Sequence, residues 1–236
     1  MVNHEPLNRF LVRRLRVTWA AAHGLIHLGR VAVDGVVVRH YRRALVTGAV
    51  VAVDGTVVAD GPDDLLLVCH KPVGVACSHD LDDAPLLYDL IPEALRHPDL
   101  QTVGRLDRNT SGLLLLAVDG QVLQRLTHPA RKLPKRYRVG YEGTLPDDAE
   151  VRVAAGLVLA DTGEPCLPAQ LYREAPGRCA LVLTEGKYHQ VKRMLLTLGA
   201  RVVDLHRDRI GGLDLPANLP LGSFRPLTDE EWALLT

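Results

Sequence analysis

The chain has 236 residues, of which 47% are hydrophobic, and this is enough apolar material for a buried core in one or two domains. Lysine and arginine together number 28, as do aspartate and glutamate, so the net charge alone does not indicate a nucleic-acid partner. No apolar run approaches the roughly 20 residues of a transmembrane helix, and the first residues lack a signal-peptide core, so we expect a cytoplasmic protein without membrane contact.

The N-terminal segment has the pattern of two helices followed by β-hairpins. Its first apolar residues recur at helical spacing: Leu7, Phe10, Leu11 and Leu15. Thr18 has the character of an N-cap for a second helix. Asp34-Gly35 and Asp54-Gly55 each separate two short β runs, which is typical of two-residue hairpin turns. Turn residues around Gly61 end the pattern, so the sequence predicts a first domain over 1–60 and a second over 61–236.

Charge is unevenly distributed along the chain. Residues 1–45 contain eight arginines against two acidic residues, and residues 123–140 contain six basic residues and no acidic one. Two such blocks in a chain of zero net charge favour an oriented surface that faces a polyanion.

The second part of the chain mixes strands and helices. Strands are predicted at residues 65–71, after Gly74, at 113–118, 135–141 and 180–184, and helices after Asp119 and over the HQVKRMLLTLG segment. The order of these elements indicates an α+β fold.

The cysteines do not indicate a metal site. None of the four forms a CxxC pair, and the grouping of Cys69, His70, Cys77 and His79 fits no common zinc spacing. We therefore predict no metal and free thiols in a reducing compartment.

The segment GRLDRNTSGLLLL places a carboxylate beside a strand that is apolar on both faces. Asp107 is held there in a loop, partly removed from water. The residues alone leave two interpretations open, a cap of the turn or a reacting group.

Three segments, GRLDRNTSGLLLL, KRYRV and EGKYHQVKRML, resemble in order and separation the motifs of bacterial RNA pseudouridine synthases. KPVGVACS is similar to the Lys-Pro-x-Gly segment of that family, although His70 stands where asparagine is usual. The N-terminal unit resembles the S4 RNA-binding module, with Thr18-Trp19 in place of the usual Ser-Arg. YHQVKRM and LHRDRIGG are most similar to the branch that acts on 16S rRNA of the small subunit.

This resemblance implies an S4-like RNA-binding domain followed by a mixed, mainly antiparallel-sheet catalytic domain. The implied reaction breaks the bond between uracil N1 and ribose C1′, turns the base and rejoins it through C5. An isomerisation consumes nothing, so no cofactor is expected, and the sequence has no P-loop or dinucleotide-binding motif. The implied partner is 16S rRNA or a partly assembled small subunit, and we expect a monomer.

By the same resemblance, Asp107 is the nucleophile or base, and Lys192 is the cation that favours its charged form. Tyr137 stacks on the target base, Arg105 helps to displace it from the RNA, and Leu106 and Val191 form the apolar part of the pocket. Further basic residues are predicted to contact RNA: Arg131, Lys132, Lys135, Arg136, Arg193, Arg13, Arg14 and Arg30.

Two other classes of function fit these residues less well. A non-catalytic S4-type RNA-binding or ribosome-assembly protein would have no need of the Asp107, Tyr137 and Lys192 set. A hydrolase is disfavoured because the adjacent Ser78, His79 and Asp80 cannot form a triad, and no motif supports the second carboxylate of a glycosidase.

Overall fold

The computed structural model describes residues 5–15, 17–46, 49–58, 65–128 and 133–235, apart from the side chains of Glu5 and Arg13. The chain divides into two compact units, Met1–Leu65 with Arg96–Leu100, and Leu66–Leu95 with Gln101–Thr236. Within the described ranges, no helix has both the length and the apolar character needed to span a membrane.

The first unit combines two helices with two small antiparallel sheets. Its elements are β1 (Glu5–Pro6), α1 (Leu7–Leu15), α2 (Trp19–His27), β2 (Val31–Val33), β3 (Val36–Val37), β4 (Ala44–Leu45), β5 (Val51–Val53) and β6 (Thr56–Val58). One sheet has the order β3-β2-β5-β6, and β1 pairs with β4 in the other.

Local signals account for these elements. The Thr18 hydroxyl accepts a hydrogen bond from the main-chain N–H of Ala21 at 3.2 Å, which confirms the predicted cap. Asp34 and Asp54 have φ angles of 52° and 51°, each followed by a glycine with positive φ. Both hairpins therefore turn in the way that Asp-Gly favours.

The apolar faces of α1, α2 and the four-stranded sheet form one core. Its largest buried members include Leu7, Phe10, Leu11, Ile26, Val31 and Val51. Residues Arg96–Leu100 also belong to this unit, where His97 is buried with its Nε2 3.4 Å from the main-chain oxygen of Val12. The sequence assigned these residues to the second domain, and its boundary near Gly61 lies outside the described residues. No periodicity in so short a segment indicates which core it joins.

The second unit is built on a nine-stranded sheet. Its elements are β7 (Leu66–Lys71), β8 (Gln101–Thr102), β9 (Ser111–Ala117), α3 (Gly120–Thr127), β10 (Lys135–Gly143), α4 (Ala149–Ala155), β11 (Gln170–Ala175), β12 (Arg178–Leu183), α5 (Gln190–Thr197), β13 (Ala200–Ile210), β14 (Leu213–Asp214), β15 (Phe224–Pro226) and α6 (Asp229–Ala233). Short 3₁₀ helices occupy Leu81–Asp83, Leu87–Leu90 and Glu93–Leu95.

The sheet has the order β11-β12-β10-β13-β9-β7-β15, with β14 beside β13 and β8 beside β9. Of the described pairings, β13 with β9 is parallel and the others are antiparallel. The predicted mixed, mainly antiparallel sheet is thus confirmed. Strand β9 is its apolar centre, because all residues from Leu113 to Ala117 are buried.

The strand predicted after Gly74 is wrong. Ala76 makes a single bridge to Leu86, and the segment otherwise runs through turns and 3₁₀ helices. The Ser78 hydroxyl accepts from the N–H of Asp80, and the Asp80 carboxylate accepts from the N–H of Asp82. These local bonds occupy main-chain donors that strand pairing would need.

Candidate active site

Asp107 lies in the loop between β8 and β9, at the start of the turn that leads into β9. The N–H of Thr110 donates to the main-chain oxygen of Asp107 at 3.0 Å, which closes the turn. The Asp107 side chain is 29% exposed, so it opens to a cleft without being freely solvated.

Lys71, the last residue of β7, anchors this loop through hydrogen bonds to its main chain. Lys71 is fully buried, and its Nζ donates to the main-chain oxygens of Pro72, Asp107 and Thr110 at 2.9, 3.1 and 2.9 Å. The main-chain oxygen of Arg108 lies at 3.5 Å. Burial lowers the pKa of Lys71, while the surrounding carbonyl dipoles complement its ammonium group. A lysine at the end of an apolar strand was the sequence signal for this anchor, whose role the sequence reasoning missed.

The carboxylate of Asp107 is paired with Lys192. Lys192 Nζ lies 2.6 Å from Oδ2 of Asp107 and 2.6 Å from Oδ1 of Asn109. Lys192 is in the first turn of α5, whose residues Val191, Met194 and Leu195 are buried in the core. This packing fixes the helix, so the lysine side chain reaches the loop from a rigid support.

His189 faces the other oxygen of the carboxylate. Its Nε2 lies 3.6 Å from Oδ1 of Asp107, a distance within reach of an ion pair but too long for a hydrogen bond. His189 has a φ of 50°, in the left-handed region, at the N-cap of α5. The sequence reasoning gave His189 no site role.

A small cleft of about 100 Å³ opens beside Asp107. Leu106, Val191 and Leu205 provide its apolar walls, and Tyr137 of β10 and the exposed Arg105 also line it. The structure therefore brings together all six residues that the sequence placed at the reacting centre, since Lys192 contacts Asp107 directly.

A buried arginine on the neighbouring strand lies next to the Tyr137 ring. Tyr137 pairs with Arg207 of β13, whose guanidinium carbon lies 6.0 Å from the centre of the tyrosine ring. Arg207 is 2% exposed, and its Nε donates to the main-chain oxygen of Leu113 at 2.9 Å. Its Nη2 has no hydrogen-bond partner among the described residues. The arginine restricts where the Tyr137 ring can lie and places a positive charge behind it.

A cleft of this kind presents one cation-paired carboxylate, an aromatic ring and apolar walls, which suits a flat base and covalent or proton-transfer chemistry at its link to a sugar. The sequence profile described as RNA pseudouridylate synthase matches residues 65–197, which include Asp107, Tyr137 and Lys192. The chain belongs to the RNA pseudouridylate synthase family.

Similar proteins agree with this assignment. Ribosomal small subunit pseudouridine synthase A of Salmonella typhimurium is 38% identical over 227 residues, which cover 96% of this chain and 98% of that protein. The protein of the same name from Escherichia coli K12 is 39% identical over 227 residues, again 96% of this chain and 98% of that protein. A solved structure described as a pseudouridylate synthase is 32% identical, with a TM-score of 0.69 over 98% of this chain and 99% of its own.

As a member of this family, the protein is an RNA pseudouridine synthase. Several of the basic residues predicted to contact RNA phosphates form ion pairs with acidic residues of the protein itself. Arg136 Nε lies 2.8 Å from Oδ1 of Asp208, and Arg193 Nε lies 2.7 Å from Oδ2 of Asp161. Because side chains alternate along a strand, Arg136 also lies on the face of the sheet opposite Tyr137.

The other residues predicted to contact RNA have different surroundings in the synthase. Lys135 Nζ donates to the main-chain oxygen of Leu133, and burial lowers the pKa of Lys135. Arg30 Nε lies 2.9 Å from a carboxylate oxygen of Asp54, and Arg14 lies 5.7 Å from the ring of Phe10. Arg131 and Lys132 lie outside the described residues, as does the side chain of Arg13. The RNA contacts of all eight residues stay predictions.

Among the residues that the structure describes, no three His, Cys, Asp or Glu side chains gather as metal ligands would. All four cysteines are free, and burial raises the pKa of the Cys69 thiol to about 12.

Proposed function

We propose that this synthase converts a uridine of small-subunit ribosomal RNA to pseudouridine, with Asp107 as the reacting carboxylate. The observation that carries the proposal is the pairing of Asp107 with Lys192 at the edge of a cleft lined by Tyr137. Support for the target comes from the names of the two relatives and from the similarity of YHQVKRM and LHRDRIGG to the 16S rRNA branch.

The proposed reaction breaks the bond from uracil N1 to ribose C1′ and forms the bond from C5 to C1′. The hydrogen at C5 leaves as a proton, and N1 gains one, so the product is an isomer of the substrate. Asp107 acts as the nucleophile or base at the sugar or the ring. Because Lys192 binds Oδ2 at 2.6 Å, whereas the nearest ion-pair partner of Oδ1 is His189 at 3.6 Å, Oδ1 is the oxygen proposed to react.

The other site residues have supporting roles in the proposal. A uridine in a stacked helix cannot reach Asp107, so it must be turned out of the RNA. Arg105, exposed on the loop, assists that step and fills the space left behind. Tyr137 stacks on the extruded base, and Leu106 and Val191 contact its apolar edge.

We further propose that the first unit is an S4-like RNA-docking module. Its support is the eight arginines within residues 1–45 and the aromatic side chains that remain exposed there, Trp19 at 49% and Tyr41 at 39%. Removing residues 1–60 would uncover buried His97 and Leu100, so substitution in the full chain is the cleaner test. Replacing both Trp19 and Tyr41 by alanine is expected to raise KM for RNA with little change in kcat.

The protein is proposed to work in the cytoplasm as a monomer. Its four free thiols suit a reducing compartment, and one chain supplies every residue of the proposed site.

The direct test uses small-subunit RNA that carries tritium at C5 of its uracils, because forming the new bond releases that label to water. Wild type, Asp107→Ala and Asp107→Asn are compared on naked RNA and on partly assembled small subunits. Release by wild type alone is expected, and the better substrate shows when in assembly the enzyme acts.

Equal release by the Asp107 variants, with their folds intact by circular dichroism, would overturn the role of Asp107. Release from large-subunit RNA only would overturn the proposed target. Binding without any release would favour the non-catalytic RNA-binding alternative, and release of free uracil would indicate a glycosidase.

A further inference from the structure

A pair of stacked aromatic rings stands at the rim of the cleft. The Tyr188 and His189 rings lie 3.8 Å apart, centre to centre, with 22° between their planes. His189 lines the cleft next to Asp107, whereas Tyr188 lies outside the lining and is 74% exposed. The Tyr188 ring therefore stacks on a residue of the cleft lining while it remains open to solvent.

The turn that carries this pair is fixed rather than loosely held. The buried Gln190 side chain accepts a hydrogen bond from the N–H of Lys187 at 2.9 Å. Arg193 donates from its main chain to the oxygen of His189 at 3.0 Å, and from Nη1 to the oxygen of Tyr188 at 3.3 Å. The same guanidinium is tied to Asp161, so the arginine is itself held in place.

The backbone at His189 has a conformation that side chains other than glycine adopt rarely. Its φ of 50° and ψ of 30° place it in the left-handed region. Such conformations persist where the surroundings enforce them, and they concentrate at functional sites. Here the conformation presents the imidazole to Asp107 on one side and to the Tyr188 ring on the other.

We propose that the Tyr188–His189 pair is a stacking subsite for the nucleobase next to the reacting uridine in the RNA chain. The inference rests on the proposed function, because it requires a uridine in the cleft. A base turned into the cleft leaves its neighbour unstacked at the rim, and the broad exposed ring of Tyr188 offers that neighbour a replacement surface. An aromatic face accepts any base, so the subsite favours a single-stranded conformation rather than a particular sequence.

The experiment uses the full-length enzyme and a small-subunit transcript in which the modified uridine has first been mapped. Tyr188→Ala is expected to raise KM by roughly 10-fold, the equivalent of about 1.4 kcal/mol, with a smaller change in kcat. Tyr188→Phe retains the ring and is expected to retain the wild-type KM. Tyr172→Ala, at another exposed tyrosine of the same unit, is the matched control and is expected to change neither constant.

The decisive measurement repeats the comparison on transcripts with an abasic nucleotide on the 5′ or the 3′ side of the target. If Tyr188 stacks on that neighbour, wild type and Tyr188→Ala have the same KM on one of the two abasic transcripts. An undiminished Tyr188→Ala defect on both transcripts, or no defect on the intact one, would overturn the subsite. Absence of tritium release by wild type from both the transcript and partly assembled small subunits would instead overturn the proposed function, so the two failures are distinguishable.

Discussion

The buried ammonium group of Lys71 donates a hydrogen bond to the main-chain oxygen of Asp107 over 3.1 Å. It makes two shorter bonds, to Thr110 at the other end of the turn and to Pro72 just after β7, so one side chain ties the Asp107 turn to the end of β7. The position of the Asp107 carboxylate therefore depends on a residue that never reaches the cleft.

Replacing Lys71 by methionine is expected to destabilise the protein by about 3 kcal/mol, because buried carbonyl oxygens lose their donor. Tritium release should fall as well, since the loop that carries Asp107 loses its anchor. Chemical unfolding monitored by circular dichroism measures the first effect. Lys187→Met removes a lysine from a partly exposed ion pair with Glu164 and should cost much less than the Lys71 substitution. Equal stability of the two variants would contradict the anchor.

Lys192→Met is expected to lower kcat roughly 10- to 100-fold, because the Asp107 carboxylate loses a charge-assisted hydrogen bond. Lys192→Arg keeps the charge and should recover part of the loss. Asn109→Ala removes only the second partner of the ammonium group and should have a smaller effect. Single-turnover tritium release separates these rates, and an unchanged rate in Lys192→Met would show that Asp107 needs no cation.

Gly112→Ala is expected to destabilise the fold by about 3 kcal/mol or more. Gly112 has a φ of 116°, and a Cβ there would lie 2.1 Å from the main-chain oxygen of Arg207, on the parallel neighbour strand. Gly120→Ala, in the first turn of α3, meets no atom within 4 Å and should be neutral or stabilising by up to about 1 kcal/mol. Thermal unfolding compares the two, and a mild effect of Gly112→Ala would mean that β9 and β13 can separate freely.

The free energy of unfolding is expected to fall as the pH drops below 6.5, partly through His206. Burial, then the neighbouring His70, lower the pKa of His206 from 6.5, against smaller opposite effects of Asp208 and Asp204. The unfolded chain then binds more protons than the folded one, so the stability that His206 contributes above pH 6.5 is lost toward acid.

His206→Asn can retain the bond to the Ser111 hydroxyl and should make stability less dependent on pH between 7 and 5. Denaturant unfolding at several pH values measures the slope, with the exposed His27→Asn variant as control. The same slope in wild type and His206→Asn would assign the acid sensitivity to other groups.

Local structure could be predicted from the sequence where the signal is local. Four such features depend on residues within a few positions of each other: the Thr18 cap, the two Asp-Gly hairpins, the buried β9 and the apolar face of α5. The strand predicted after Gly74 was wrong, because short-range side-chain bonds around Ser78 and Asp80 compete there with strand pairing.

The sequence motifs also indicated which residues meet in the cleft, but only the tertiary structure decided how. Lys192 reaches Asp107 from 85 positions away, and Lys71 anchors the same loop from the end of another strand. The arginines show this most clearly, since Arg136 and Arg193 are bound to acidic partners, whereas Arg207 is buried behind Tyr137. The charge of a side chain and its spacing in the sequence indicate which kinds of interaction it can make. Which partner it meets, and on which face of the sheet, is set by strand register and by packing between segments far apart in the chain.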